Sequence, residues 1–369
     1  MRAGAEGTES RRRNMVLATG ADPSDATKDS DVRRTVGVRD VAKRAQVSLG
    51  TVSNVINTPD SVRPRTRARV EKAMSELGFV GSRAAGQLRS RKSGLVGVVL
   101  PDVGNPYWAD VLRGVESVLE RQDLTLVVGS THQDPSRQSR LLRALTQQGV
   151  DGLLVAPIDK LRSWEPFGDR RLGVVALESG AEPDVGSSIS LDNVGGARQA
   201  ITHLLELGHR SVVFINGPRS VPWCVERREG VLAGIQAAGL KASEVLIEVE
   251  VADLTSANGL TATDNLWGVY QPTAVMCAND LVALGALLSL QRRGLRVPED
   301  VSLIGYDDVE FVEALRPSLT TVRQPSFEVG VIAGQMLLSG AARDGGEREL
   351  LTPSLIVRQS TGPAPRASM

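Results

Sequence analysis

Residues 48–54 of this 369-residue chain read SLGTVSN. The chemistry these side chains offer is hydrogen bonding rather than bond-making. Ser48 can cap a helix through its hydroxyl. The helix it opens turns Val52, Val55 and Ile56 inward and leaves Leu49, Gly50, Thr51, Ser53 and Asn54 facing out. Asn54 can hold an adenine with both ends of its amide, or a phosphate. Thr51 and Ser53 can bond phosphates and set register. Leu49 can make only apolar contact, as with a thymine methyl, and Gly50 lets the helix sit close. Elsewhere the chain carries no G-x-S-x-G, no P-loop and no G-x-G-x-x-G after a strand. Its three histidines, His132, His203 and His209, pair with no Cys or carboxylate at metal-ligand spacing. The two cysteines, Cys224 and Cys277, read as buried free thiols of an intracellular protein. The residues therefore argue against an enzyme and imply neither a metal nor a cofactor.

The elements around Ser48 are those needed to present that outward face. Val38, Val41, Ala42 and Ala45 fall at i, i+3, i+4 and i+7, one face of a short helix. A tight turn, AQVS, leads into the second. Two such helices cannot hide their apolar faces alone, and a third follows. Pro64 suits a first helical position, and Val70, Ala73, Met74 and Leu77 form its inner stripe through to Gly78. The pattern is a helix-turn-helix. From Arg33 to Ser93 there are 14 Lys and Arg against 4 Asp and Glu, while the whole chain is neutral. A basic block coinciding with a helix-turn-helix is the electrostatic footprint of a DNA-binding module attached to an ordinary domain.

At 41% hydrophobic and 23% charged residues the chain is globular, with two or three domains. No run of 18 apolar residues exists to span a membrane, and no signal-peptide core precedes the basic block. Residues 1–34 lack periodicity and read as a disordered extension, with Met15 an alternative start and Arg11 to Arg13 extra cations. From residue 94 strand and helix patterns alternate. LVGVVLPD, LTLVVGST, VDGLLVAP and GVVALES are separated by the amphipathic ADVLRGVESVLERQ and RQSRLLRALTQQG. A second set begins at Asn193, with strands SVVFING, EVLIEVE, TAVMCAN and VSLIGYD. Such alternation predicts parallel sheets covered on both faces, in two lobes, with ligands at the carboxyl ends of the strands. A cleft between the lobes is the natural pocket. The expected fold is an all-α headpiece over 35–81, a linker over 82–93, an α/β core of two Rossmann-like lobes over 94–359, and a tail from 360.

VRDVAKRAQVSLGTVSNVIN followed by TRARVEKAMSELGFV closely resembles the DNA-binding headpiece of the lactose-repressor (LacI) family of bacterial transcription regulators. The resemblance runs through the core to about Arg358. It implies a core like a periplasmic sugar-binding protein, with crossovers near Asp192 and Gln324. It implies a hinge in SRAAGQLRSRKS, where Leu88 matches a leucine that wedges into the minor groove and Ala85 the alanine beside it. An apolar wedge unstacks a base step at a cost of a few kcal/mol and gains a bend that brings the backbone within reach. Arg83, with Arg89, Arg91 and Lys92, would neutralise phosphates. Gly86 departs from the family's usual Arg or Gln and weakens a hinge helix by about 1 kcal/mol.

The same resemblance assigns a ligand set. Asn105, Tyr107 and Trp108 in DVGNPYW would bond a hydroxyl and stack on a ring. Asp159, Arg227, Asn279, Asp307 and Gln324 match polar positions of the cleft, and Asp192 starts a crossover that reaches it. Trp223 would line the entrance, and Leu254 stands where relatives often carry an aromatic. The expected protein is a cytoplasmic, nucleoid-associated, homodimeric repressor on a near-palindromic operator, controlled by a small ligand, most simply a sugar. A purine or sugar phosphate is the alternative ligand, and a solute-binding protein the alternative class. No heptad run follows the core to make a tetramer.

Overall fold

The computed structural model describes residues 36–79, 93–158, 172–178, 187–340, 342 and 346–365. The extension, the hinge residues Arg83, Ala85 and Leu88, and Asp159 lie outside the described residues. The chain divides into two compact units, Met1–Arg83 and Ala84–Met369.

The first unit holds three helices, α1 (Val38–Ala45), α2 (Leu49–Asn57) and α3 (Pro64–Leu77). Asp40 folds back to accept from Gly37 N at 2.9 Å and so caps the start of α1. Gln46, in the left-handed region at φ +50, ends it. Ser48 Oγ accepts from Thr51 N at 3.1 Å and opens α2. Val41, Ala42, Ala45, Val52, Val55, Val70 and Ala73 form the core, with Met74 and Leu77 at its margin. Ile56 departs from the sequence expectation: it is 41% exposed. It sits seven residues from Leu49, itself 49% exposed, so the two share a stripe that turns away from the Val52–Val55 face.

The second unit has two six-stranded sheets. The first lobe carries β1 (Leu95–Leu100), β2 (Thr125–Ser130), β3 (Gly152–Val155), β4 (Gly173–Leu177), β5 (Ser187–Leu191) and β11 (Arg348–Leu351). Their order is β11-β5-β4-β3-β1-β2, all parallel. The second lobe carries β6 (Val212–Asn216), β7 (Leu246–Glu250), β8 (Ala274–Cys277), β9 (Ser302–Asp307), β10 (Thr320–Arg323) and β12 (Ser354–Ile356). Their order is β12-β10-β9-β8-β6-β7, with β12 antiparallel to β10. Each sheet reverses its winding beside its first strand, which leaves a crevice at the carboxyl ends of β1 and β3 and of β6 and β8. Val96, Val98, Val99 and Leu100 of β1 are fully buried, as are Val212 to Ile215 of β6, as expected for strands covered on both faces.

Helices α4 (Pro106–Leu119), α5 (Pro135–Gln147) and α11 (Ser326–Ser339) belong to the first lobe. The helices α6 (Asn193–Glu206), α7 (Pro222–Ala237), α8 (Ala242–Val245), α9 (Ser256–Trp267) and α10 (Asp280–Arg292) belong to the second. Gly114 and Gly330 bring α4 and α11 together: a Cβ on Gly114 would lie 2.1 Å from Phe327 O. The chain passes between lobes at residues 191–193 and 323–326, near the two expected points, and a third time at 351–354. Residues 360–364, read as tail from the sequence, are instead built into the second lobe. Leu303 N donates to Ser360 O at 2.8 Å and Ala364 N to Leu207 O at 2.9 Å. His209 is buried and bonds Thr273, Ser302 and Gly362, a structural role. Cys224 and Cys277 are free and buried, and burial pushes the Cys224 thiol up to about 12.

Candidate functional site

A cavity of about 320 Å³ opens where the strand ends of the two lobes face each other, within the range of small-ligand sites. Asp307, the last residue of β9, is one of its lining residues. It has φ +110, and four of the cleft residues (His132, Gln133, Glu178 and Asp307) have positive φ. Such backbone is sparsely populated and marks positions fixed by their surroundings. Asp307 Oδ1 accepts from Gln324 Nε2 at 2.6 Å, and Oδ2 accepts from Asn105 Nδ2 of the first lobe at 3.2 Å. Burial pushes the Asp307 carboxyl up to about 6, against the opposing pull of Arg227, Asn105 and Gln324.

Arg227, on α7, is buried. Its Nε donates to Asn193 Oδ1 at 3.0 Å, Nη1 donates to Ala278 O, and Nη2 lies 3.8 Å from Asp307 Oδ1. Its guanidinium covers the Tyr306 ring at 3.7 Å, a cation–π contact that strengthens when water is excluded. Burial works against the charge. Tyr306, Asp307 and Glu178 outweigh it, and the net direction is upward.

Asn105, Tyr107, Trp108, Arg227, Asn279, Asp307 and Gln324 all line this cavity, together with Trp223 and Leu254. The structure departs from the sequence expectation of the ligand set in three places. Tyr107 and Trp108 are buried and meet edge to face, 4.9 Å apart at 76°, so they build the wall rather than offer two open stacking faces. Asn279 caps α10, its Oδ1 accepting from Val282 N at 2.8 Å and its Nδ2 donating to Leu254 O at 3.2 Å. Asp192 is not a lining residue: it caps α6, with Oδ1 accepting from Gly195 N at 2.7 Å.

The cavity also takes in Pro101, Asp102, His132, Gln133, Glu178, Asp253 and Thr255, which the sequence reading passed over. Asp102, His132, Gln133 and Glu178 follow β1, β2 and β4, so the strand-end rule alone would have found them. Buried side-chain atoms without a hydrogen-bond partner among the described residues include the Tyr107 hydroxyl, Gln133 Oε1, Glu178 Oε1 and Gln324 Oε1. All four belong to this cavity.

On the headpiece, Ser48, Leu49, Gly50 and Asn54 are exposed and Thr51 and Ser53 half-buried. Ser48 is committed to the cap, and its hydroxyl lies 2.9 Å from that of Thr51. The Ser53 hydroxyl accepts from Asn57 Nδ2 at 3.1 Å. Leu49, Gly50 and Asn54 remain the freest to meet another surface. Among the described residues no group of His, Cys, Asp and Glu is placed to hold a metal ion, and no helix is long and apolar enough to cross a membrane.

A helix-turn-helix unit joined to a two-lobed binding core defines a DNA-binding regulator that responds to a small ligand, not an enzyme. Residues 37–82 match the model for bacterial regulatory proteins of the lacI family, and residues 201–361 that for a periplasmic binding protein-like domain. The transcriptional repressor CytR of Escherichia coli K12 is 33% identical over 341 residues, 89% of this chain and 97% of that protein. The chain belongs to the LacI family. Among solved structures, the Lac repressor dimer bound to operator and the anti-inducer ONPF is similar at a TM-score of 0.74 and 28% identity, over 89% of this chain and all of that one. The regulator CelR in complex with cellobiose is similar at 0.63 and 30%, over 88% and 99%.

Proposed function

We propose that this protein is a homodimeric transcriptional repressor whose operator affinity is set by a small neutral ligand, most simply a sugar, bound between the core lobes. The observation that carries the reading is the cluster of Asn105, Arg227, Asp307 and Gln324, brought from both lobes onto one cavity at the strand ends. Carboxylate and amide oxygens placed this way suit hydroxyl donors, and Arg227 supplies a planar fork for an acceptor. The cellobiose complex of CelR and the operator-bound Lac repressor dimer support the ligand class and the dimer.

In this reading Leu49, Gly50 and Asn54 meet base edges, while Ser48, Thr51 and Ser53 set register. Arg83, Ala85 and Leu88 form the hinge of 82–93 that enters the minor groove. Asp159 adds a first-lobe acceptor, whereas Asp192 acts as a helix cap. The protein works in the cytoplasm, at the nucleoid. Ligand closes the lobes and lowers operator affinity by the difference in its own affinity for the two states, typically about 1–3 kcal/mol.

The test is fluorescence anisotropy on a near-palindromic duplex selected with the full-length protein, with and without a ligand found by thermal shift. Operator binding as a dimer that weakens by about 5- to 150-fold with ligand is expected. Tightening would make the ligand a corepressor. No change with a bound ligand would sink the coupling.

A further inference from the structure

Residues 80–92 join the helix-turn-helix unit to the core in sequence, and Ser93 and Gly94 lead directly into β1. One carboxylate holds both of their amides. Asp151, between α5 and β3, accepts from Ser93 N on Oδ1 at 2.8 Å and from Gly94 N on Oδ2 at 2.9 Å. The polar groups beside them are closed as well: Leu95 N donates to Ser93 Oγ at 3.1 Å, Thr125 N to Gly94 O at 2.8 Å and Asp151 N to Leu95 O at 2.7 Å. Ser93 is buried, and Gly94 turns the chain at φ +72, in the region that favours glycine. Asp102, Asp134 and Asp192 also hold amides, but those of residues two or three positions on, as turn and cap aspartates do. Asp151 reaches back 58 and 57 positions, so its carboxylate serves the entry of the chain into the sheet rather than its own loop. Ser93 and Gly94 stand at the amino end of β1, and the cavity residues Pro101 and Asp102 follow its carboxyl end. Between them run six residues, about 20 Å of strand, paired with β2 on one side and β3 on the other. The anchor and the cleft are opposite ends of one rigid element, and a chain held by two charge-assisted bonds moves with that sheet.

We propose that Asp151 is a positioning residue for DNA recognition: by fixing the point where the chain leaves the first-lobe sheet, it sets the half-site separation that a dimer accepts. It rests on the dimeric operator binding of the proposed function and ties half-site spacing to one residue of the core. In a dimer the two linkers start from two such anchors. With the carboxylate present, each start is fixed to β1 and β3. Without it the Ser93 and Gly94 amides lose their acceptors, the entry to β1 loosens, and each linker gains length and freedom. Two modules on longer, looser linkers have a lower effective concentration at the matched spacing and a broader tolerance of others. Contacts of each headpiece with its own half-site are untouched, because Asp151 belongs to the core unit.

The experiment measures binding of the full-length parent, Asp151→Ala and Asp151→Asn to three duplexes by fluorescence anisotropy. They are the selected near-palindromic operator, the same operator with one base pair added between its half-sites, and a single half-site. One base pair moves the half-sites apart by about 3.4 Å and turns one against the other by about 35°. The parent should bind the lengthened operator at least tenfold more weakly than the selected one. D151A should lose at least fivefold of that discrimination, chiefly by weaker binding of the selected operator, with its affinity for the single half-site unchanged. D151N keeps one acceptor and can hold one amide, so its ratio should fall between the two. Melting curves of all three proteins separate spacing from stability, because a carboxylate with only a structural role lowers the melting temperature and leaves the ratio alone. Equal ratios in the parent and D151A overturn the proposal, and so does failure of both variants to fold. A parent that prefers both operators to the half-site without telling them apart also overturns it, and leaves the dimeric reading standing. A parent that prefers neither operator to the half-site overturns the dimeric reading, and this proposal with it.

Discussion

Asn105 is tied at both ends. Its Oδ1 accepts from Tyr107 N at 3.0 Å and caps α4 of the first lobe, and its Nδ2 donates to Asp307 Oδ2 at 3.2 Å in the second. One amide thus fixes the start of a helix and latches the two lobes across the cavity. The donor side of the latch meets a carboxyl that burial has already pushed up to about 6, so the latch is strongest where Asp307 is ionised.

Asn105→Ala should remove both functions. Loss of the cap costs about 1 kcal/mol, and loss of a hydrogen bond to a charged group about 1.5–3 kcal/mol. Asn105→Asp should keep the cap but set a second carboxylate against Asp307. Urea unfolding at pH 8 is expected to rank the parent above both variants, and small-angle scattering to report more open lobes in both. An unchanged scattering profile for N105D would remove the latch from the account.

Arg227→Met should be severe and pH-dependent. Removing one partner of a buried pair typically costs about 3–5 kcal/mol. Asp307 and Glu178 are both raised carboxyls, so what they contribute to stability is present at low pH and lost as pH rises through about 6 and about 7. Without Arg227 both rise further, and the cost of the variant should grow from pH 5 to pH 8. Urea midpoints at the two pH values check this, and a cost that is equal at both would mean the carboxyls do not lean on Arg227.

Much of the cleft was legible because the family resemblance assigns Asn105, Arg227, Asp307 and Gln324 to it, and the structure brings all four to the cavity. Asp307 and Asn279 were assigned by the family resemblance, and both stand where an apolar run, LIGYD or TAVMCAN, stops at a polar residue. Glu178 was missed although GVVALES was read as a strand, because a carboxylate after a strand looks solvated until burial is known. Helix α11, SFEVGVIAGQMLLS, left no clear stripe: Val329, Gly330, Ala333, Gly334, Met336 and Leu337 are buried on one face, but two of these are glycines while Phe327 and Leu338 are exposed, so the apolar period in the sequence is blurred. Helix α9, SANGLTATDNLW, is built from weak helix formers whose signal is tertiary. Strands β10 to β12 have only three or four residues each, too few for periodicity. Asp192 was misread because a crossover aspartate and a helix cap look the same in sequence.

Gly50→Ala separates folding from DNA reading. A Cβ there meets only Ser48 Oγ, at 3.8 Å, so the headpiece has room for it. Alanine gains up to about 1 kcal/mol over glycine within a helix, and the headpiece should melt at a higher temperature. The added methyl projects from the exposed face between Leu49 and Asn54, so affinity for the selected operator should fall. Asn54→Ala should instead lose about 1–3 kcal/mol at a single base position. Anisotropy on single-base operator variants distinguishes the two, and G50A binding as tightly as the parent would place the DNA surface elsewhere.

Gly114→Ala tests how the first lobe is closed. The new Cβ would lie 2.1 Å from the Phe327 carbonyl and 3.0 Å from Gly330 Cα, atoms of backbone that no rotamer change can move aside. Helices α4 and α11 must separate, which overpacking data place at about 1–3 kcal/mol or more. Helix α11 follows β10 of the second lobe in sequence but packs on the first, so the damage should be local. Amides of α4 and α11 should lose hydrogen-exchange protection while β6 and β8 keep theirs. Because Asn105 caps α4, the displacement should also stretch the bond to Asp307 and weaken ligand binding without any change in a lining residue. Uniform loss of protection across both lobes would mean instead that the core unfolds as one unit and that α4 transmits nothing in particular to the cleft.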